Sequence, residues 1–406
     1  MNAKRRRVLL RVLALALISQ TLMFYGLPLP VLGALFFLVL VPVVVYARPA
    51  NGWLLAGTFA IVTLALELVF HFSGFGTAMF YRPTEMLRRG SDDFGYAYRR
   101  NVDLKMHSPF GDLQATRRVG IIEPREIEFV TDGLGFRNRN GYAGQKLFLV
   151  GDSFAMGEGE TQACMVTEVL KASYGLDIYN LAHSGDQPGD YFNHAELFIR
   201  RHAPHARVVI VFFEGNDFQP FGAKAYRRHP LRPYTQFFQD SNVYRVSRWL
   251  YARTFKPKNY NEALVATIRT VPIAFEQDYV ANVVRERPFE ETELGFGTLL
   301  DQLAGRVEHV FFAPAKYRVY APLLDGEAAK TPPNRNWEYL QKIAAQRSIP
   351  ATNLSEPLAR AAREELEHGR FVYWRGDTHW NCAGMAIAAR AMAQALGAKP
   401  DKATSK

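Results

Sequence analysis

Cysteine is almost missing from this sequence: Cys164 and Cys382 are the only two among 406 residues. Two thiols cannot build a disulfide scaffold, and their spacing lacks the paired ligands of a zinc site. Burial statistics for the residue type favour two free, poorly reactive thiols that take no part in chemistry. Charge is nearly absent from three stretches, 8–27, 29–47 and 53–72, where Arg11 and Glu67 are the only charged residues. The first stretch also lacks a small-x-small cleavage pattern, which favours a retained segment over a removed leader. Residues 80–145 have little helical periodicity and are polar, basic and rich in aromatics.

What is present begins with those three apolar runs. Each approaches the roughly 20 residues needed to cross a bilayer. Pro28 and Pro30 separate the first from the second, and Arg48-Pro49-Ala50-Asn51-Gly52 separates the second from the third. Three spans with Lys4-Arg5-Arg6-Arg7 kept in the cytoplasm would place the rest of the chain on the far side of the cytoplasmic membrane; two spans would leave it inside. The formal net charge of +10 and a pI near 9.5 suit a polyanion or an acidic membrane surface. Nucleic acid is not among the expected partners.

From Lys146 onward the pattern alternates strand, turn and helix. Apolar strand candidates stand at 147–150, 176–181, 207–213, 308–313 and 351–354, with helical patterns between them. That alternation implies an α/β domain with a doubly wound parallel sheet, helices on both faces. The expected organisation is a membrane anchor at 1–75 and a lead-in with short strands at 76–145. The α/β domain follows at 146–397, with a polar tail at 398–406. Residues 218–296 break the rhythm and read as a basic, aromatic insertion (Lys224, Arg227, Arg228, Arg232, Arg245, Arg248, Arg253, Lys256, Lys258).

Chemistry gathers at the carboxyl ends of the strands, the edge where open α/β sheets bind ligands. The first strand ends in Gly151-Asp152-Ser153. The second leads into Asn180-Leu181-Ala182-His183-Ser184-Gly185-Asp186, and the third into Glu214-Gly215-Asn216-Asp217. Near the C-terminus stands Gly376-Asp377-Thr378-His379-Trp380. Acyl transfer needs a nucleophile, a base, a group that orients the base, and donors for an oxyanion. Ser153, His379 and Asp377 supply the first three; the Gly185 N–H and the Asn216 amide supply donors. Ser153 could otherwise simply N-cap the next helix. His183 and His194 carry no motif signal and read as surface or loop residues. Asp152 reads as a local cap, and Asp217 as a residue holding its loop. Lys316 follows the fourth strand and faces the same edge, where a minority expectation is contact with substrate.

The order Gly-Asp-Ser, loop Gly, Asn-Asp, then a C-terminal Asp/His pair resembles the SGNH (GDSL-type) hydrolase family. Thr131–Asn138 (TDGLGFRN), GDSFAMGEG and DTHWN followed by Gly384 resemble its membrane-attached bacterial members. Some of those relatives add or remove acetyl groups on envelope polysaccharides, including the alginate O-acetylation proteins. The resemblance covers roughly 125–397 and implies a three-layer sandwich. It also implies Ser153 as nucleophile, His379 as base, Asp377 as its partner, and an oxyanion hole of Ser153, Gly185 and Asn216. No metal or organic cofactor is implied. Two departures stand out: Glu214 occupies the position where the family carries Gly, and only Thr378 separates Asp377 from His379. The expected function is a membrane-anchored serine esterase or O-acyltransferase acting on acetyl esters of an envelope glycan, in contact with polysaccharide machinery. The alternative is a catalytically inactive domain that binds carbohydrate or assists assembly.

Overall fold

In a computed structural model of the chain, the described residues are 49–73, 80–91, 94–219, 241–244, 246, 263–303, 305–326 and 332–400. The two leading apolar runs, the Lys4–Arg7 cluster and the nine basic residues named in the insertion lie outside them. Two compact units are present. One comprises residues 1–80 and 229–258, the other 81–228 and 259–406.

The smaller unit contains helix α1 (Pro49–Phe72), formed by the third apolar run. Ile61, Val62, Leu64, Leu66, Leu68, Val69 and Phe72 on it are exposed. Its one carboxylate, Glu67, accepts from the Asn242 backbone and side-chain amides and from Val243 N, each at 2.9 Å. Among the described residues no helix is long and apolar enough to cross a membrane, so the expected third span finds no support.

In the larger unit, strands β1 (Arg88–Ser91) and β2 (Gly95–Tyr98) form one antiparallel pair. Strands β3 (Asp103–Ser108) and β4 (Arg125–Val130) form another, with the short helix α2 (Asp112–Arg117) between them. The central sheet then assembles from β5 (Leu147–Gly151), β6 (Ile178–Asn180), β7 (Arg207–Phe213), β10 (Val307–Ala313) and β11 (Ala351–Asn353). An antiparallel hairpin, β8 (Leu264–Ile268) and β9 (Val271–Phe275), stands between β7 and β10 in sequence. The central strands are all parallel, in the order β6-β5-β7-β10-β11. Taking these five in chain order, the arrangement is 2-1-3-4-5, so the order reverses between β5 and β7, where such sheets bind their ligands.

Burial explains why the strands are apolar runs without alternation. Phe148 to Val150, Val208 to Phe213 and Val310 to Ala313 are all at most 2% exposed, with helices over both faces. The helices of this unit include α3 (Ser153–Met156), α4 (Val166–Tyr174), α5 (Pro188–His202), α6 (Gln277–Val283), α7 (Phe296–Gln302), α8 (Lys316–Tyr320), α9 (Arg335–Ala345), α10 (Ser355–Glu367) and α11 (Cys382–Ala395). One continuous core joins Phe148, Val150, Ile210 and Phe212 of the sheet to Phe198 of α5, Phe296 of α7 and Leu340 of α9.

The cysteine expectation is overturned. Cys164 and Cys382 form a disulfide with Cα atoms 5.1 Å apart, and no free cysteine remains. Cys164 closes the turn just before α4, and Cys382 opens α11; the two helices lie against each other. Helix contact brings the Cα atoms inside bridging range, a proximity that 218 residues of sequence separation conceals.

Candidate active site

Gly151 ends β5 where Val211 O and Ala155 Cβ leave no room for a side chain: an added Cβ would lie 2.9 and 2.7 Å from them. The chain therefore turns, and Asp152 caps α3 by accepting from Phe154 N at 2.8 Å. The cap is Asp152, which leaves Ser153 as the first helical residue with its hydroxyl free for other contacts. Burial raises the Asp152 carboxyl to about pH 6.

Ser153 Oγ lies 2.8 Å from His379 Nε2. His379 Nδ1 lies 2.7 Å from Asp377 Oδ1, which also accepts from His379 N at 3.1 Å. Serine, imidazole and carboxylate thus form one hydrogen-bonded chain. Burial pushes the Asp377 carboxyl up, but the Arg125 charge and the His379 contact outweigh it and hold the group well below the carboxylate range. Burial likewise pulls the His379 imidazole down, and the bond to and charge of Asp377 reverse this, raising it above its ordinary value.

The spacing of Asp377 and His379 is explained by what holds Thr378. Its N–H donates to Asp112 Oδ1 at 2.8 Å and its hydroxyl to Asp112 Oδ2 at 2.6 Å. Behind Asp377, Oδ2 accepts from Arg125 Nη2 and, at 3.1 Å, from Asp112 N. Glu123 accepts from Gly376 N at 2.7 Å and from Arg375 Nε at 3.0 Å. Sequence reading missed Arg125, Asp112 and Glu123. They lie more than 250 residues from the loop they hold, and no local pattern links such distant partners.

The other two loops arrive from β6 and β7. Gly185 sits at φ +77°, a left-handed conformation suited to glycine. Its loop is fixed from β2, where Tyr98 Oη accepts from Ser184 N at 2.9 Å and the Tyr98 ring stacks on His183 at 4.0 Å. His183 and His194 are not surface residues: they are 0% and 2% exposed, and His194 Nδ1 is 3.1 Å from Asp186 Oδ2. Asp217 accepts from Tyr191 Oη at 2.6 Å and from Phe213 N at 2.7 Å, which curls the chain around Asn216. Asn216 is half-buried, and its Oδ1 has no hydrogen-bond partner among the described residues.

Glu214, the departure from glycine, is fully buried and receives Arg318 through Nε and Nη2, at 2.6–2.9 Å, plus Asn336 Nδ2 at 3.0 Å and Ala315 N at 3.1 Å. A charge so enclosed is stable only when paired. The pair ties the end of β7 to α8 and α9. The Thr131–Asn138 segment is more than a surface turn: Asp132 Oδ1 accepts from the N–H groups of Leu134, Gly135 and Phe136 at 2.9–3.1 Å. Arg137, fully buried, donates to Gly157 O at 2.5 Å and Glu160 O at 2.6 Å, strapping down the loop that follows Ser153.

Residues 275–406 match the family described as SGNH hydrolase-like domain, acetyltransferase AlgX. The match supports an SGNH-like family linked to polysaccharide acetylation. It contains Asp377 and His379 and ends short of Ser153, Gly185 and Asn216. No curated protein matches the chain. A solved structure of the protein YXIM from Bacillus subtilis is similar at 12% identity over 68% of this chain and 69% of that one. Its TM-score is 0.33.

Proposed function

We propose, from a chain whose C-terminal third is similar to a polysaccharide-acetylating SGNH-like family, that Ser153, His379 and Asp377 carry acyl transfer on a glycan ester. The observation that supports this most directly is Ser153 Oγ at 2.8 Å from His379 Nε2, with Asp377 at 2.7 Å on the other ring nitrogen. Neutral His379 takes the Ser153 proton on Nε2 as Oγ attacks the acetyl carbonyl. Asp377 holds the Nδ1–H tautomer and stabilises the imidazolium. The N–H groups of Ser153 and Gly185 and the amide of Asn216 receive the oxyanion. Collapse expels the alkoxide, which takes the proton from Nε2. Water (esterase) or a sugar hydroxyl (transferase) then releases the acetyl group by the same steps reversed.

An inactive binding domain is disfavoured by the same geometry, because a domain with no chemistry has no need of an aligned Ser153–His379 pair. We place the larger unit outside the cytoplasm, since the Cys164–Cys382 disulfide persists in oxidising compartments. Attachment to a bilayer is proposed from the two leading apolar runs, with the exposed apolar side chains of α1 as a surface contact. The test is p-nitrophenyl acetate turnover by wild type and Ser153→Ala, with and without an acetylatable glycan. Turnover in wild type alone is expected, and equal turnover in the variant refutes the mechanism.

A further inference from the structure

Lys316 opens α8 at the end of β10, yet its side chain turns inward and the residue is only 4% exposed. Its Nζ donates to three carbonyl oxygens: Trp374 at 3.0 Å, Arg375 at 3.0 Å and Asp377 at 2.7 Å. An ammonium has three protons, and here each has a carbonyl. All three acceptors lie in the hairpin that carries His379. The neck of that hairpin is closed by the Tyr373–Trp380 bridge and by Trp374 N donating to His379 O at 3.2 Å. The outside of the tip is held by Arg125, Asp112 and Glu123. Its inside is filled by one cation.

We propose that Lys316 is a positioning residue for the chemistry at Ser153, its ammonium being the internal cation around which the Trp374–His379 hairpin is wound. The inference rests on the function proposed above and adds a residue to it; contact of Lys316 with substrate is not required. A neutral amine has only two N–H groups, so deprotonation strands a buried carbonyl. The cost of such a loss falls on the segment that sets His379 against Ser153. Burial draws the ammonium down to about pH 8, against the upward push of Asp112, Asp377 and Glu123. Arg375 also faces it, and Glu276, Tyr279 and Tyr317 line the same small hollow. The sign is set by the cation: it is needed, so the clamp slackens as pH rises through about 8.

The test uses the full chain with p-nitrophenyl acetate, which has no titrating group. Wild type should show a fall in kcat on the alkaline side of about pH 8. Lys316→Met should lose about 10²-fold in kcat, the cost of an ångström-scale misplacement, with KM little changed and the alkaline fall gone. Lys316→Ala should regain kcat with added ethylammonium and not with tetramethylammonium, which fills space but has no N–H. A Lys316→Met enzyme with wild-type kcat, a flat alkaline profile in wild type, or equal rescue by both ions overturns the proposal. Where Lys316→Met does not fold, the wild-type profile and the Lys316→Ala rescue decide. Wild-type turnover together with an undiminished Lys316→Met sinks this inference alone. Absence of both turnover and fluorophosphonate labelling of Ser153 in wild type sinks the proposed function with it.

Discussion

Replacing Asp377 by Asn changes one oxygen to NH2, and the surroundings dictate which one. The Oδ2 position faces two fixed donors, Arg125 Nη2 and Asp112 N, while Oδ1 faces one, the His379 N–H at 3.1 Å, so the amide oxygen takes Oδ2. The NH2 then occupies the Oδ1 position, 2.7 Å from His379 Nδ1. There it donates, which requires Nδ1 to be an acceptor and moves the ring proton to Nε2. Nε2 faces Ser153 Oγ at 2.8 Å and can no longer accept its proton. An inverted tautomer of this kind costs about 10⁴-fold in kcat. The remaining activity should also move on the pH axis. The Asp377 bond and charge raise the His379 pKa, so the acid limb of kcat/KM lies above 6.5 in wild type and shifts to lower pH in Asp377→Asn. Steady-state rates across pH, with nitrogen NMR of His379 to read the tautomer, test both parts. Loss of less than tenfold would refute the reasoning and transfer the orienting role to Asp112, whose Oδ2 is 3.7 Å from His379 Nδ1.

Asn216→Ala should lower kcat by about 10²–10³-fold with KM nearly constant, as expected for one lost oxyanion donor; a change in KM alone would make Asn216 a binding residue. Glu214→Ala leaves Arg318 buried without its carboxylate, at a cost of about 3–5 kcal/mol, seen in thermal melts as a drop on the order of 10 °C; an unchanged melting temperature would mean the pair is not structural. Reduction of the Cys164–Cys382 bond should destabilise the chain by about 2–5 kcal/mol, and thiol titration of the denatured, unreduced protein should find none; two titratable thiols would show the bond absent.

Much of the α/β domain was legible because fully buried strands must be apolar runs and their ends must turn. The expected strand at 207–213 coincides with β7, and the candidates at 147–150 and 308–313 fall within a residue of β5 and β10. The candidate at 176–181 shrinks to Ile178–Asn180, whose last residue pairs with Leu149 and also exchanges bonds with the Asn138 side chain. Ser153 could be singled out because a parallel strand delivers its following loop to the ligand edge; Asp377 and His379 sit on a hairpin after α10 and were legible through the Asp/His pair of the family resemblance. Arg125 was invisible, since a strand reading Arg-Glu-Ile-Glu-Phe-Val carries no hint of a partner in a distant hairpin. Glu214 was visible only as an irregularity; the meaning of a charge at the end of a buried strand is its partner Arg318, which sequence alone does not pair with it. The disulfide failed for the same reason: proximity is a property of α4 against α11, and burial statistics for cysteine contain no such information.

The central claim is that Ser153 becomes covalently acylated. Rapid-quench mass spectrometry after mixing the chain with p-nitrophenyl acetate should find one acetyl group on the peptide containing Ser153. It should accumulate in a burst before steady state and be absent in Ser153→Ala. Turnover with no acetyl on Ser153, or with the acetyl on another residue, would contradict the account.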